Sequence, residues 1–589
     1  MAVALPQLPV LESLPALRAA LAQAGRAVLA APPGSGKTTA VPLALLDEPW
    51  LAGKRIVMLE PRRVAARAAA ARMAFLLGEK VGETVGYQIR FERRISAQTR
   101  IEVVTEGLLA RRLQADPELP GVGLIIFDEF HERSLDADLA LALTLDVRAN
   151  LNPELRVMVM SATLDTQRVA QLLDDAAVVE SGGRLYAVDV RHSATSASSD
   201  HREHGEAVAR CALRALDETA GDILAFLPGA REIRMAQGVL ASRLGESVAA
   251  RALYGELSSD EQDLALRPDA AGRRKIILAT NIAQTSLTVE GVSTVVDGGL
   301  VRVARFDLAA GANRLDTERV SRASAEQRAG RASRLGPGVC YRLWSREQHA
   351  SLMPHDTPEI LSVDLTRFAL ELAAWGAART EDLPFLDHPG AVNWQYARER
   401  LLDVGAIDEA GRIAAHGREL LRLPSTPRLA HMLLMAKQQG LGRTAAWVAA
   451  SLEAREMANR SDLAQTVREL ARGGGEPQLR RRVADSVQQF LRVAAIGDDA
   501  PLRTEDRDIA RCIAWAYPER IARRRPGARG AQEVAFLCAD GSEARIREHD
   551  ALAHVEWLAI AHWDPGPPRR IRSAVGVDGG DIRSDQASR

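Results

Sequence analysis

Four consecutive apolar residues, Leu124 to Phe127, run straight into two carboxylates, Asp128 and Glu129, in the stretch LIIFDEFHER. A run of this kind suits a strand buried on both faces, the environment of a parallel sheet sandwiched between helices. Acids at the carboxyl end of such a strand lie where α/β sheets hold their ligands. A buried strand must also end in something polar, and Asp starts turns readily, so the pair gains meaning only from its surroundings.

Upstream, the apolar residues Ala27 to Ala30 lead into APPGSGKT, Ala31 to Thr38. Gly34 and Gly36 let backbone N–H groups approach a polyphosphate, Lys37 reaches its β and γ phosphates, and the Thr38 hydroxyl is placed to ligate Mg2+. Asp128 on the second strand then completes the metal site, and Glu129 is placed to orient or deprotonate an attacking water. The first loop position is Ala31 where Gly is usual, which keeps the residue small but gives up the freedom of positive φ.

At 589 residues the chain exceeds a single core, and roughly three to five domains are expected. Hydrophobic residues at 47% and charged residues at 26% are ordinary for a folded protein and leave little room for extensive disorder. No uncharged apolar run is long enough for a bilayer, and the amino terminus lacks a basic region followed by a signal-type apolar segment. The expectation is a cytoplasmic protein without a membrane partner. Cys211, Cys340, Cys512 and Cys538 form no CxxC pair and are read as buried thiols. A formal net charge of -1 gives no global nucleic-acid signature, so any such surface must be built locally.

Taken in order, RIVMLEPRRVAAR from Arg55 reads as a strand followed by an Ala-rich helix, with Arg62 and Arg63 at the junction to solvate the helix start or grip backbone phosphates. RIEVVTEGLLARRL from Arg100 is a second strand and helix, with Thr105 as a cap candidate. LRVMVMSATLD, from Leu155, is a further buried strand ending in Ser161, Ala162 and Thr163. The pattern is a βαβ series with its polar turns on one edge. Residues 192 to 205, HSATSASSDHREHG, read as a solvated linker near a domain boundary rather than a histidine metal site. A second α/β series follows from Gly221, and SRASAEQRAGRASR, from Ser321, sets Arg328, Arg331 and Arg334 on one helix face. That array suits a γ phosphate presented by another domain.

The ordered set APPGSGKT, PRR, TEG, DEFH, SAT, TNIAQTSLT and QRAGRASR resembles the DEAH group of superfamily 2 helicases. With GYQIRFE and DEFHERSLDADLALAL, the chain looks most like the HrpB-type bacterial ATP-dependent RNA helicases, over nearly its whole length. The resemblance implies an α/β fold of two tandem RecA-like P-loop domains, followed by winged-helix, helical-bundle (ratchet) and partial OB-like domains. The segments assigned are 1–185, 186–350, 351–425, 426–500 and 501–575, with 576–589 as a disordered tail. Nucleotide would be held by Gly34, Ser35, Gly36, Lys37, Thr38, Thr39 and Asp128, with Thr38 and Asp128 on Mg2+. Glu129 would be the base, Gln327 would position water, and Arg331 and Arg334 would be arginine fingers. His131, Ser161 and Thr163 would couple nucleotide state to domain movement, while Arg62, Arg90, Thr105, Thr280 and Asn281 would contact RNA through phosphates and 2′-hydroxyls. The segment Val301 to Arg319 corresponds to the strand-separating hairpin of the family.

Two positions depart from the family pattern. Gln284 stands where motif V usually has Glu, and Ser333 stands where Gly usually separates the last two arginines. The first keeps shape but loses charge, so altered coupling between the RNA and ATP sites is expected; neither removes a phosphate contact, so hydrolysis is expected to survive. Beyond Trp344, TPEILSVDLTRFALELAAWG reads as a helix after Pro358, AVNWQYARERLLDVGAIDEAGRIAAHGREL as helices with a short wing, and residues 427 to 496 as almost wholly helical. EVAFLCADGSEARI reads as a hairpin at the start of an OB-like domain, and the basic patch from Arg520 to Arg529 as either an RNA contact or a solvated turn.

The function implied is an ATP-dependent RNA helicase moving 3′ to 5′ on single-stranded RNA, or on a duplex with a single-stranded tail. A DNA translocase acting on single-stranded DNA, and a nucleotide-switched RNA-binding scaffold without unwinding, are the alternatives. ATP and Mg2+ are the cofactors, and the absence of an adenine-reading Gln motif favours broad NTP use. Protein partners are not specified.

Overall fold

The computed structural model describes residues 8–89, 92–162, 166–182, 186–193, 200–284, 289–334, 336–454, 460–497, 499–526, 532–564 and 568–577. These divide into two compact units: one formed by the chain up to Arg305 with Leu315–Val363 and Thr380–His388, the other by Phe306–Arg314, Asp364–Arg379 and the chain from Pro389.

The first unit holds two sheets. One has eight strands in the order 92–94, 85–89, 101–105, 55–60, 122–127, 156–161, 26–30 and 177–180, all parallel except for the first pairing. Every residue of Val122–Phe127 is buried, as the unbroken apolar run requires of a central strand with helices on both faces. The second sheet has six parallel strands in the order 248–253, 274–279, 222–226, 292–297, 338–342 and 188–192. Ala65, from the Arg63–Leu77 helix beside the first sheet, packs into the core of the second with Phe226, Ile277 and Ala332. The carboxyl edges of both sheets carry the turns described below.

Several sequence expectations change. The stretch 192–205 is not a linker throughout: His192 ends a strand of the second sheet, and a helix starts at His201, capped by the Asp200 side chain on the N–H groups of Arg202 and Glu203. His204 is buried in that helix. Residues 194–199 lie outside the described residues, and the strand at Val188–His192 is too short and polar to declare itself. Thr105 precedes the Glu106–Ala115 helix but makes no side-chain cap. The helix read after Pro358 is broken into a short turn at Glu359–Leu361 and a helix at Thr366–Trp375, because the Asp364 side chain accepts from the Thr366 N–H and restarts it.

In the second unit, helices Ala391–Asp403 and Ala415–Arg422 flank a single antiparallel bridge, Ile407 to Ile413, where the short wing was expected. Helices Pro427–Gln438, Gly442–Glu453, Leu463–Ala471 and Pro477–Val493 follow. The OB-like part is not partial among the described residues: strands 521–524, 533–538, 543–547, 569–577 and 557–564 close into a five-stranded barrel. The sequence DPGPP, residues 564–568, is a turn signal between its last two strands that the sequence reading did not use. Within the tail expected at 576–589, Gly576 and Val577 finish a barrel strand, and the rest lies outside the described residues.

Arg520 is neither solvated nor placed to meet a ligand. It is buried between the rings of Tyr517 and Trp563, 4.1 and 4.8 Å from their centroids, and donates to the carbonyls of Ala561 at 3.0 Å and Ala310 at 2.8 Å. Ala310 lies at the tip of a two-stranded ribbon, Leu300–Asp307 with Ala312–Arg319, and the Phe306 and Tyr396 rings meet there at 5.1 Å. Among the described residues, no helix is long and apolar enough to cross a membrane.

Candidate nucleotide and nucleic-acid site

The loop between the Arg26–Ala30 strand and the Lys37–Ala44 helix turns on two glycines, Gly34 at φ +83° and Gly36 at φ +91°. These are conformations that a Cβ would strain. Ala31 does not need that freedom: it has no positive φ, and its N–H continues the strand pairing by donating to Ser161 O at 3.0 Å. Lys37 is buried at the first helical position, with Thr38 and Thr39 behind it in the first turn. Ser35 Oγ is buried without a hydrogen-bond partner among the described residues. A cradle of turned glycines, a buried ammonium and an orphaned hydroxyl fits a polyphosphate.

Asp128 and Glu129 lie across the sheet from the loop. The Thr38 hydroxyl donates to Asp128 Oδ2, so both proposed Mg2+ ligands already touch. Glu129 occupies the left-handed region at φ +50°, and its N–H donates to Asp128 Oδ1 at 2.8 Å. Such strain in a non-glycine residue is retained where surrounding structure imposes it, commonly at functional sites. The Glu129 carboxylate is 3.2 Å from Lys37 Nζ and 3.3 Å from His131 Nε2. Burial favours its neutral form, but Lys37, His131 and Arg331 together outweigh burial and hold Glu129 below the usual carboxylate range. Asp128 is pushed up, because burial outweighs Lys37 and the Glu129 charge adds to it. Burial likewise lowers His131 despite Glu129, and His131 Nδ1 accepts from the Ala162 N–H at 3.4 Å. Ser161 is buried at the end of its strand, paired with Ala30. Thr163 lies outside the described residues.

With Gln327 in the same segment of the second sheet domain, Arg331 and Arg334 come opposite this group. They do not share one α-helical face with Arg328 as the spacing suggested: the helix Arg322–Ala329 tightens into a 3-10 turn over Gly330–Ser333. Ser333 fits that turn by donating to Gly330 O at 3.3 Å. Arg328 points into the core, where it pairs with Asp297 at 2.8 Å and stacks 4.9 Å over Phe226. Arg331 donates through Nε to the Gln284 carbonyl at 2.8 Å. Arg334 approaches the loop so closely that a Cβ at Gly34 would lie 3.9 Å from its Cγ. Burial lowers both guanidiniums, Arg331 further through Arg334 and Arg334 to about 10, and the Glu129 carboxylate opposes the shift in each.

A second cleft, of about 770 Å3, is lined by Arg62, Arg63 and Arg67 from the first domain and by Thr280, Asn281 and Leu257 from the second. Arg62 is the residue before the Arg63–Leu77 helix and is tethered to Glu132 at 3.0 Å, next to the acid turn. Thr105 sits two strands from the acid strand, paired with Glu60 at the same sheet edge but outside the cleft lining. Arg90 lies outside the described residues. Sequence reasoning missed Arg67 and Leu257 in the cleft, and Ser324, Asp297 and Asp356 around the second domain's arginines; no local motif marks them.

The DEAD/DEAH box helicase family matches residues 14–172, and the helicase conserved C-terminal domain matches residues 206–336. Together they define the class, a helicase motor that hydrolyses nucleoside triphosphate. Over 574 residues, 97% of this chain, the sequence is 44% identical to the ATP-dependent RNA helicase HrpB of Escherichia coli (strain K12), of which it spans 68%. It is 34% identical over 432 residues to the ATP-dependent RNA helicase HrpA of that organism, covering 72% of this chain and 33% of HrpA. Two crystal structures of E. coli HrpB align at 42% identity with TM-scores of 0.82 and 0.85, covering 100% and 97% of this chain and 70% and 71% of theirs. The chain therefore belongs to the HrpB family of DEAD/DEAH box helicases.

Proposed function

We propose that this protein hydrolyses ATP, with other NTPs accepted, to move 3′ to 5′ along single-stranded RNA and separate duplexes bearing a single-stranded tail. The observation that supports this most is the approach of Arg334 to the glycine loop, with Arg331 and Arg334 both within electrostatic reach of Glu129. Two domains thereby contribute opposite halves of one hydrolytic site.

Lys37 pairs with Glu129 in the structure. When the triphosphate enters, Lys37 turns to its phosphates and releases the carboxylate. Glu129 then accepts a proton from the attacking water through an Oε atom, while His131 Nε2 steadies the other oxygen. Mg2+ held by Thr38 and Asp128 would neutralise charge on the phosphate oxygens. Gln327 positions the water, and Arg331 and Arg334 neutralise charge that grows in the transition state. His131 and Ser161 connect the acid turn to the end of the neighbouring strand, the route by which nucleotide state reaches the domain interface.

Arg62, Thr280 and Asn281 bind the RNA backbone across the second cleft, whose lining offers guanidiniums and small polar groups suited to phosphates and 2′-hydroxyls. Both sheet domains line it, so closing the nucleotide site changes the grip on RNA. The protein works in the cytoplasm.

Strand separation on RNA duplexes with a 3′ or a 5′ tail tests the reading. Unwinding only of the 3′-tailed duplex, dependent on hydrolysable nucleotide, is expected. Turnover without separation on either duplex would leave the scaffold reading, and a stronger response to single-stranded DNA would leave a DNA translocase.

A further inference from the structure

We infer that Gln284 is a positioning residue for hydrolysis and that its amide is matched to Asp356 through Ser324; the inference rests on the roles proposed for Gln327 and Arg331. Gln284 is buried between the two working residues of the second domain. Its carbonyl accepts from Arg331 Nε at 2.8 Å, and its side-chain Nε2 donates to Gln327 Oε1 at 3.2 Å. The same Nε2 donates to Ser324 Oγ at 2.7 Å, Ser324 Oγ donates to Asp356 Oδ2 at 2.6 Å, and Gln284 Oε1 accepts from Arg328 Nε at 3.0 Å.

The direction of this chain is fixed by chemistry. Arg328 has only donors, so the group facing it must be the Gln284 oxygen. A carboxylate only accepts, so the single Ser324 proton goes to Asp356, and Ser324 must receive its second bond from an N–H. The Gln284 nitrogen is therefore on the Ser324 side, and its remaining N–H sets the Gln327 amide with Oε1 turned toward Gln284. Gln327 and Arg331 are thus both bonded to the same residue, Gln284.

A carboxylate at position 284 would break the match. Ser324 has one proton and would face two acceptors, Glu at 284 and Asp356, while Gln327 Oε1 would face a third. Replacing Asp356 by Asn repairs it, because the Asn amide donates to Ser324 Oγ, Ser324 turns its proton to the carboxylate, and the Gln327 amide turns over so that its N–H2 donates.

Hydrolysis rates and thermal midpoints of wild type, Gln284→Glu, Asp356→Asn and the double variant test this. A reduction in kcat of about tenfold is expected for Gln284→Glu, the effect of one misdirected buried bond. KM for ATP should move less than about threefold, because no phosphate-binding group of the loop changes. The double variant should regain kcat by at least about threefold over Gln284→Glu through the repaired Ser324 end, with the rest withheld by the turned-over Gln327 amide, a partial rescue that a bulk packing role for Gln284 would not produce. Unchanged kcat in Gln284→Glu, or equal loss in the single and double variants, would overturn the inference. Absence of RNA stimulation in wild type would count against the proposed motor alone, since basal kcat and the thermal midpoints still read the match.

Discussion

Lys37, Asp128 and Glu129 are held by the backbone turns that carry them, whereas Gln327 and Arg331 are held by a residue 43 and 47 positions away. In the first domain, positive φ at Gly34, Gly36 and Glu129 aims the groups at one another. In the second, a polar network around Gln284 does so. The first arrangement is set locally, by backbone conformations that a Cβ strains. The second tolerates local shape changes, as Ser333 in its 3-10 turn illustrates, but depends on matched donors and acceptors.

The largest effect should come from the network's working end. Arg331→Ala is expected to cut RNA-stimulated turnover by about 10³ to 10⁵ while nucleotide binding, measured by a fluorescent analogue, stays within a few-fold. Turnover close to wild type would remove Arg331 from the site and with it the reason for the network.

The next effect separates stability from catalysis. Arg328→Met leaves Asp297 buried without its ion pair, and denaturant unfolding should register a loss of about 3–5 kcal/mol. A loss below about 1 kcal/mol, the range of a surface pair, would show that the network is not as buried and committed as its geometry indicates.

Glu106 sharpens the contrast from inside the first domain, because it is an acid governed by side chains rather than a turn. Burial, reinforced by Glu132, Asp136 and Glu359 and opposed by a bond from Ser134, raises it to about 8. The folded state therefore holds a proton that the unfolded state releases near the ordinary value of 4.5. Stability from this site is full below that value and falls as pH rises, by about 1.4 kcal/mol per pH unit, until the folded group also ionises. Glu106→Gln should flatten the dependence of unfolding free energy on pH between about 5 and 8; an unchanged slope would mean that the site is hydrated.

Gly36→Ala gives the smallest effect. At φ +91°, with the added Cβ 2.6 Å from the flexible end of Leu8, it should lower stability by about 1–2 kcal/mol. Nucleotide affinity should fall with it, and an unaffected affinity would argue that the turn is not what places Lys37.

This contrast also decides what could be read from the sequence. The glycine loop, the acid strand and the parallel sheets follow from local pattern, because an apolar run and a turn residue state their own conformation. The role of Gln284 did not: its lost charge suggested altered coupling, and only the structure shows the amide between Ser324, Gln327 and Arg328. Asp356 is exposed in a loop with no motif, and its contribution depends on the fold bringing it within 2.6 Å of Ser324 Oγ. The burial of Arg328 and Arg520 was hidden for the same reason: an arginine's sequence position does not reveal an aromatic or acidic partner supplied from elsewhere. The barrel's closure was missed because nothing in 557–564 or 569–577 says which other strands each will pair with.

The most direct test of a two-domain motor is the steady-state rate of ATP hydrolysis with and without single-stranded RNA, in wild type and in Glu129→Gln. Strong stimulation in wild type, abolished in the variant while nucleotide still binds, is the predicted result. An RNA-independent rate in wild type, or a variant that hydrolyses as well as wild type, would contradict it.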